Sequence, residues 1–200
     1  MTRETTYEGL LRGKAPEQSV ERLALYAAHL ERWSKRHNLV RFAGRRELVN
    51  RHLLEALAAV AIMPPRGKLV DIGSGGGLPG IPLLCVREAW SGVLVEPRQK
   101  RWAFLKMMVR ELGLKAEVER VRFQDLAVEN IDLITVRAVG GYPGLLAWAR
   151  PRLAPMGKVA IWGTEAEEER LGRLEGWRVL SSGLIGLDRG RLIQVQVCST

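Results

Sequence analysis

The chain has 200 residues, 46% hydrophobic and 26% charged, the balance of one soluble domain large enough to bury its own core. The opening MTRETTYEGLLRGKAPEQ lacks the apolar stretch of a secretory leader, and no run reaches the ~20 residues of a membrane span, so a cytoplasmic protein without membrane association is expected. Net charge is +9, which predicts a polyanionic partner, whereas two distant cysteines and three histidines offer neither a disulfide framework nor a metal site.

The first helical period covers Val20 to His37, with Val20, Leu23, Ala27, Leu30 and Ser34 on one face and Ser19 placed to cap its start. A second runs from Glu47 to Met63, where Leu48, Leu54, Leu57, Ala58 and Ala61 would share a face, and Pro64-Pro65 stops it. Between Arg32 and Arg51 stand seven Lys/Arg and one acid, Glu47. Such clustering marks Arg36, Arg41, Arg45 and Arg46 as candidate phosphate contacts. Residues 1–65 thus form an N-terminal helical element, and residues 66–200 a second unit of different pattern.

From Lys68 onward, apolar strands alternate with helices: strands at 68–72, 93–96, 116–121, 131–136 and 158–162, helices at 79–87, 98–112, 145–153 and 164–174, and a terminal hairpin of strands near 177–180 and 192–197. This is the pattern of an α/β fold with a mostly parallel sheet covered on both faces. The helix after the second strand carries five Lys/Arg and no acid between Pro97 and Arg110, which adds Arg98, Lys100 and Arg101 to the basic footprint. Ligands of such sheets bind beyond the carboxyl ends of the strands, so the loops after Ile72, Val95 and Val136 are the places to look.

The first of those loops lies in VDIGSGGGLPGIP, Val70 to Pro82. A phosphate-binding GxxxxGK[ST] loop is excluded, because Ile81 and Pro82 follow Gly80 where a lysine and a hydroxyl are needed. Gly75, Gly77 and Gly80 match GxGxxG, which keeps an NAD(P)-binding oxidoreductase open, although the first glycine falls late after the strand. The third frame, D-x-G-x-G-x-G at Asp71, Gly73, Gly75 and Gly77, is the arrangement of class I S-adenosylmethionine methyltransferases. It makes Asp71, Gly73, Ser74, Gly75, Gly77 and Leu78 candidate cofactor residues. Glu96, ending the second strand, can accept both hydroxyls of a ribose. Phe123 and Gln124, beyond the third, can flank an adenine ring.

The fourth strand ends in Thr135-Val136-Arg137-Ala138-Val139. No Asn/Asp-Pro-Pro-Tyr stands there to hold an exocyclic amine, and no cysteine to attack a pyrimidine carbon. Arg137 offers instead a planar donor array that suits a carboxylate, a phosphate or the O6 of guanine. Guanine N7 carries a free lone pair, so methyl transfer to it needs alignment and no general base.

These segments resemble one family. VDIGSGGGLPGIPL is similar to the glycine-rich motif of the small-subunit rRNA guanine-N7 methyltransferases, the RsmG or GidB family. EPRQKRWAFL from Glu96, VRAV from Val136, WSKRHNLV from Trp33 and RHLLEAL from Arg51 resemble its other motifs, and the likeness runs from about Tyr26 to about Val197. The resemblance implies a Rossmann-like, seven-stranded class I methyltransferase sheet with an N-terminal helical extension. It implies S-adenosylmethionine as cofactor, S-adenosylhomocysteine as product, and methylation of N7 of a guanine in 16S rRNA or the 30S subunit by a monomer. Gly73 and Leu78 would then touch the cofactor, Phe123 and Gln124 would flank its adenine, Arg137 would line the reaction site, and Asn38 and His52 would join the RNA contacts. Four positions depart from the pattern: Ser34, Val40, Ala56 and Trp162 replace polar residues common in the family. These losses admit a third reading, a non-catalytic ribosome-associated module with a relic cofactor pocket.

Overall fold

The computed structural model describes residues 6–185 and 190–198; residues 1–5 and 199–200, the ends of the two predicted units, lie outside the described residues. Helix α1 (Tyr7–Leu11) starts at Thr6, whose hydroxyl accepts the Gly9 N–H, and is followed by a 3-10 turn, Glu17–Ser19. Helix α2 (Val20–His37) buries Val20, Leu23, Ala24, Tyr26, Ala27 and Leu30, the face its periodicity predicts. Ser19 does not cap it: its hydroxyl donates backward to the Pro16 carbonyl at 2.7 Å.

The second helical stretch differs from its prediction. It comprises α3 (Arg45–Glu47), a π-helical segment (Leu48–Leu54), α4 (Glu55–Leu57) and a 3-10 turn (Ala58–Ile62). Its buried residues are Leu48, Val49, Leu53, Ala56 and Ala59, and the predicted Leu54, Leu57, Ala58 and Ala61 are more exposed. A π turn takes more residues than an α turn, so positions beyond it rotate away from a 3.6 period.

The sheet follows as β1 (Gly67–Ile72), β2 (Trp90–Val95), β3 (Ala116–Glu119), β4 (Ile131–Arg137), β5 (Leu153–Gly163), β6 (Trp177–Ile185) and β7 (Gly190–Val197). Between them lie α5 (Gly80–Val86), α6 (Gln99–Glu111), α7 (Tyr142–Ala149) and α8 (Glu165–Gly172). The order is β3-β2-β1-β4-β5-β7-β6, with β7 antiparallel to both neighbours and the rest parallel. The helix predicted over 145–153 starts earlier, and β5 starts at Leu153, earlier than predicted, because Pro151 ends the helical path.

Strand periodicity splits the core in two. Leu69, Leu94, Leu133 and Ala160 face one cluster with α5, α6 and the N-terminal helices, while Val70, Val95, Ile134, Val136 and Ile161 face another with α7 and α8. The N-terminal helices therefore share a core with the sheet. Polar ties add to this: Arg87 donates to the carbonyls of Val60 and Met63, and the Trp90 indole donates to Pro64 O at 2.9 Å. Strand β1 sits between β2 and β4, the point where the chain's order reverses, and its carboxyl end opens the crevice where such sheets bind ligands.

Candidate active site

The glycine turn leaves β1 at Ile72 and folds back under its own hydrogen bonds. Gly73 N–H and Ser74 N–H both donate to Val95 O, at 2.9 and 3.0 Å. Gly73, Gly75 and Gly77 have φ of +70°, +57° and +93°, in the left-handed region that only glycine enters freely. Asp71 is fully buried beneath them, accepting the Thr135 hydroxyl at 2.7 Å and the Gly80 N–H at 3.3 Å. Burial pushes its carboxyl up to about 6 against the pull of those bonds. Ser74 donates its hydroxyl to Asp71 O at 2.8 Å, and Leu78 is buried. Asp71, Ser74 and Leu78 thus shape the turn from inside, and the main chain is what the turn presents. The helical element reaches it too: Tyr26 donates to Gly76 O at 2.6 Å.

The dinucleotide frame fails on these bonds. A pyrophosphate needs free N–H groups where the helix begins. Here Gly80 N–H is taken by Asp71, and Ile81 N–H by Gly77 O at 2.8 Å.

Glu96 stands at the end of β2, 3% exposed. Its Oε2 accepts the Gly75 N–H at 3.1 Å, its Oε1 accepts the Arg98 N–H at 2.8 Å, and Arg101 lies 3.8 Å away. A carboxylate has about four acceptor positions, so two remain for a ligand after these N–H bonds. A turn that presents its main chain next to such an acid suits the sugar and tail of a nucleoside cofactor. Phe123 and Gln124 lie in a 3-10 turn beyond β3, Phe123 edge-on to Trp148 at 5.5 Å and Gln124 exposed.

Arg137 closes β4. It donates to the Glu55 carboxylate at 2.9 Å, to Arg51 O at 3.0 Å and to His52 O at 3.4 Å. Burial lowers its pKa and Glu55 opposes that shift. Nε–H and one Nη1 hydrogen have no partner among the described residues. The Trp162 indole donates to Glu55 O at 2.9 Å, so β4 and β5 both grip the helical element at one residue. Arg137, Glu55, Val139, Tyr142, Trp162 and Glu167 line a pocket of about 370 Å³. Val139 joins it to the glycine turn, since a Cβ on Gly73 would lie 2.7 Å from the Val139 side chain. A larger cavity of about 1420 Å³, between β2, β3 and the 151–152 turn, shares no residue with the glycine turn.

The basic residues divide. Arg36, Arg41, Arg46, Arg98 and Lys100 are exposed. Arg45 is held by Glu31 at 3.1 Å and lies over the Tyr7 ring. Asn38 caps α2 in the left-handed conformation and accepts from Arg41 Nε at 3.4 Å. His52 is half-buried, 3.2 Å from Arg41 O, and burial lowers its pKa. Sequence reasoning missed Tyr26, Glu55, Thr135, Tyr142 and Glu167. Only Glu55 carried a signal, its place in RHLLEAL.

The GidB family, described as rRNA small subunit methyltransferase G, matches residues 19–182. Proteins named ribosomal RNA small subunit methyltransferase G are 37% identical in Acidiphilium cryptum (78% of this chain, 74% of that one) and 36% in Wolinella succinogenes (82% and 84%). One from Paramagnetospirillum magneticum is 33% identical over 93% of this chain and 92% of its own. Among solved structures, a methyltransferase from Geobacter sulfurreducens superposes with a TM-score of 0.62 at 16% identity, covering 86% of this chain and 90% of that one. M. jannaschii TYW2 in complex with AdoMet does so at 0.56 and 15%, covering 72% and 73%. These last two share the fold, a class I methyltransferase sheet. With its glycine turn, strand-end acid and strand-four arginine in place, the chain belongs to the GidB family of small-subunit rRNA methyltransferases.

Proposed function

We propose that this protein transfers a methyl group from S-adenosylmethionine to N7 of a guanine in 16S rRNA, as a cytoplasmic monomer acting on the 30S subunit. The observation that carries the reading is a glycine turn that presents its main chain, is clamped to Glu96 and is joined through Val139 to the Arg137 pocket. When bound, the cofactor supplies an electrophilic methyl group. The chain's own residues do the rest by placement. Gly73, Gly75 and Gly77 admit the cofactor close to the backbone, and Glu96 offers acceptors to its ribose hydroxyls. Phe123 and Gln124 flank the adenine. Arg137 donates a spare N–H group to O6, which holds N7 beside the turn. N7 needs no deprotonation, so alignment alone can supply much of the rate. Residues 1–65 form the RNA-contacting element, with Arg36, Asn38, Arg41, Arg45, Arg46 and His52 joined by Arg98, Lys100 and Arg101 of the second unit, 66–200.

Purified protein is given labelled S-adenosylmethionine and small subunits from cells lacking this gene. Labelled 7-methylguanosine in 16S rRNA is the expected product. Binding of cofactor and rRNA with no label transferred would favour the relic module instead.

A further inference from the structure

The Arg137 pocket contains a carboxylate that methyl transfer itself does not use. Glu167, in the first turn of α8, lines the pocket with Arg137. Its Oε2 accepts the Thr164 N–H at 2.7 Å and the Thr164 hydroxyl at 3.0 Å, closing a capping box. Its Oε1 accepts the Tyr142 hydroxyl at 2.8 Å. Among the described residues, three of about four acceptor positions are then filled, and the open one is on Oε1. The other carboxylate of the pocket, Glu55, is ion-paired with Arg137.

We infer that Glu167 is a specificity-determining residue that identifies the acceptor base as guanine, its Oε1 accepting a hydrogen bond from the exocyclic N2 amine. This rests on the methyltransferase reading above. Strand order sets the argument. The glycine turn follows β1, Arg137 ends the adjacent β4, and Glu167 follows β5, one strand farther out. The rim of guanine runs in the same sequence: N7, then O6, then N1–H, then the N2 amine. With N7 at the turn, O6 faces the arginine donors and the amine faces the carboxylate. Adenine has no amine at that position and turns an N–H₂ donor toward Arg137. Glu167 is also held on both oxygens, by Thr164 at the cap of its own helix and by Tyr142 of α7, and so is preorganised to read a base.

The test uses intact small-subunit rRNA carrying a single inosine at the guanine that mapping identifies. Inosine keeps N7, O6 and N1–H and lacks only the N2 amine. For the wild-type protein, kcat/KM should fall about tenfold to a hundredfold on inosine, the scale of one lost base-reading contact. Glu167→Gln retains the capping box. It should slow methylation of the guanine substrate by a similar factor and treat the two substrates alike, with S-adenosylmethionine affinity unchanged. Equal wild-type rates on guanine and inosine would overturn the inference and leave the proposed function standing. So would a Glu167→Gln protein that still discriminates. The wild-type comparison decides the matter even if the variant does not fold. Absence of methylation on the guanine substrate would remove the underlying reading and this inference together.

Discussion

At the scale of the residue, the groups under the glycine turn trade solvation for placement. Asp71 is the clearest case. Its folded pKa of about 6 lies above the ordinary carboxylate value, so the folded state holds a proton that the unfolded chain has already released. Its contribution to stability is therefore present at low pH and is lost as pH rises through the folded value. Asp71→Asn can keep both bonds, its oxygen accepting from Gly80 and its amide donating to Thr135. Stability of the variant relative to wild type should increase between pH 5 and pH 7.5 in paired urea titrations, and a flat difference would contradict the shift. Arg137 also has two duties. Replacing it by alanine removes one hydrogen bond each from the Glu55 carboxylate, Arg51 O and His52 O, at a cost of about 1–3 kcal/mol by urea unfolding, besides the loss of turnover.

The turn and the helices answer to different constraints at the scale of the element. The turn depends on backbone conformation. Gly77→Ala puts a Cβ at φ +93°, 2.5 Å from Ile81 Cδ1, and should lower stability by roughly 1–3 kcal/mol while weakening S-adenosylmethionine in calorimetric titration. The stretch from Arg45 to Ile62 depends on a change of winding. Its π segment takes in Arg51 and His52, whose carbonyls meet Arg137, and Glu55 opens the α turn that follows. Its start and its proline stop were legible in the sequence. Its buried face was not, because periodicity assumes 3.6 residues per turn throughout, and nothing local in Leu48–Leu54 announces the wider turn. Ser19 shows the same limit, since a residue of the right type for a cap found a nearer carbonyl at Pro16.

For the whole molecule, net charge matters less than where it is left uncovered. Arg45 and Arg101 are committed to Glu31 and Glu96, whereas Arg36 and Arg41 stand exposed at the end of α2 and in the loop after it. Arg36→Glu with Arg41→Glu should weaken rRNA binding and reduce its slope against log salt by about one for each phosphate contact removed. Arg45→Glu should weaken rRNA binding and in addition cost stability through Glu31 and Tyr7, so thermal unfolding separates the two variants. The helical element and the sheet share one core and meet at Glu55, Tyr26 and Trp90, which ties the basic surface to the pocket without a linker.

The sequence alone determined the alternation of strand and helix, the glycine turn after β1, the acid ending β2 and the arginine ending β4. Each is written in a local pattern: period, spacing, or a residue that only certain backbone angles accept. Only the tertiary structure decided what those residues face. Glu96 was legible as an acid at a strand end, but that it clamps Gly75 depends on β1 and β2 lying side by side. Arg137 was legible as a donor, but that Glu55 holds it from 82 positions away depends on how the helices dock on the sheet. Glu167 carried no signal in the sequence, and it becomes a pocket residue only because β5 packs beside β4. Contacts between distant segments are fixed by the packing of whole elements, and no local pattern encodes them.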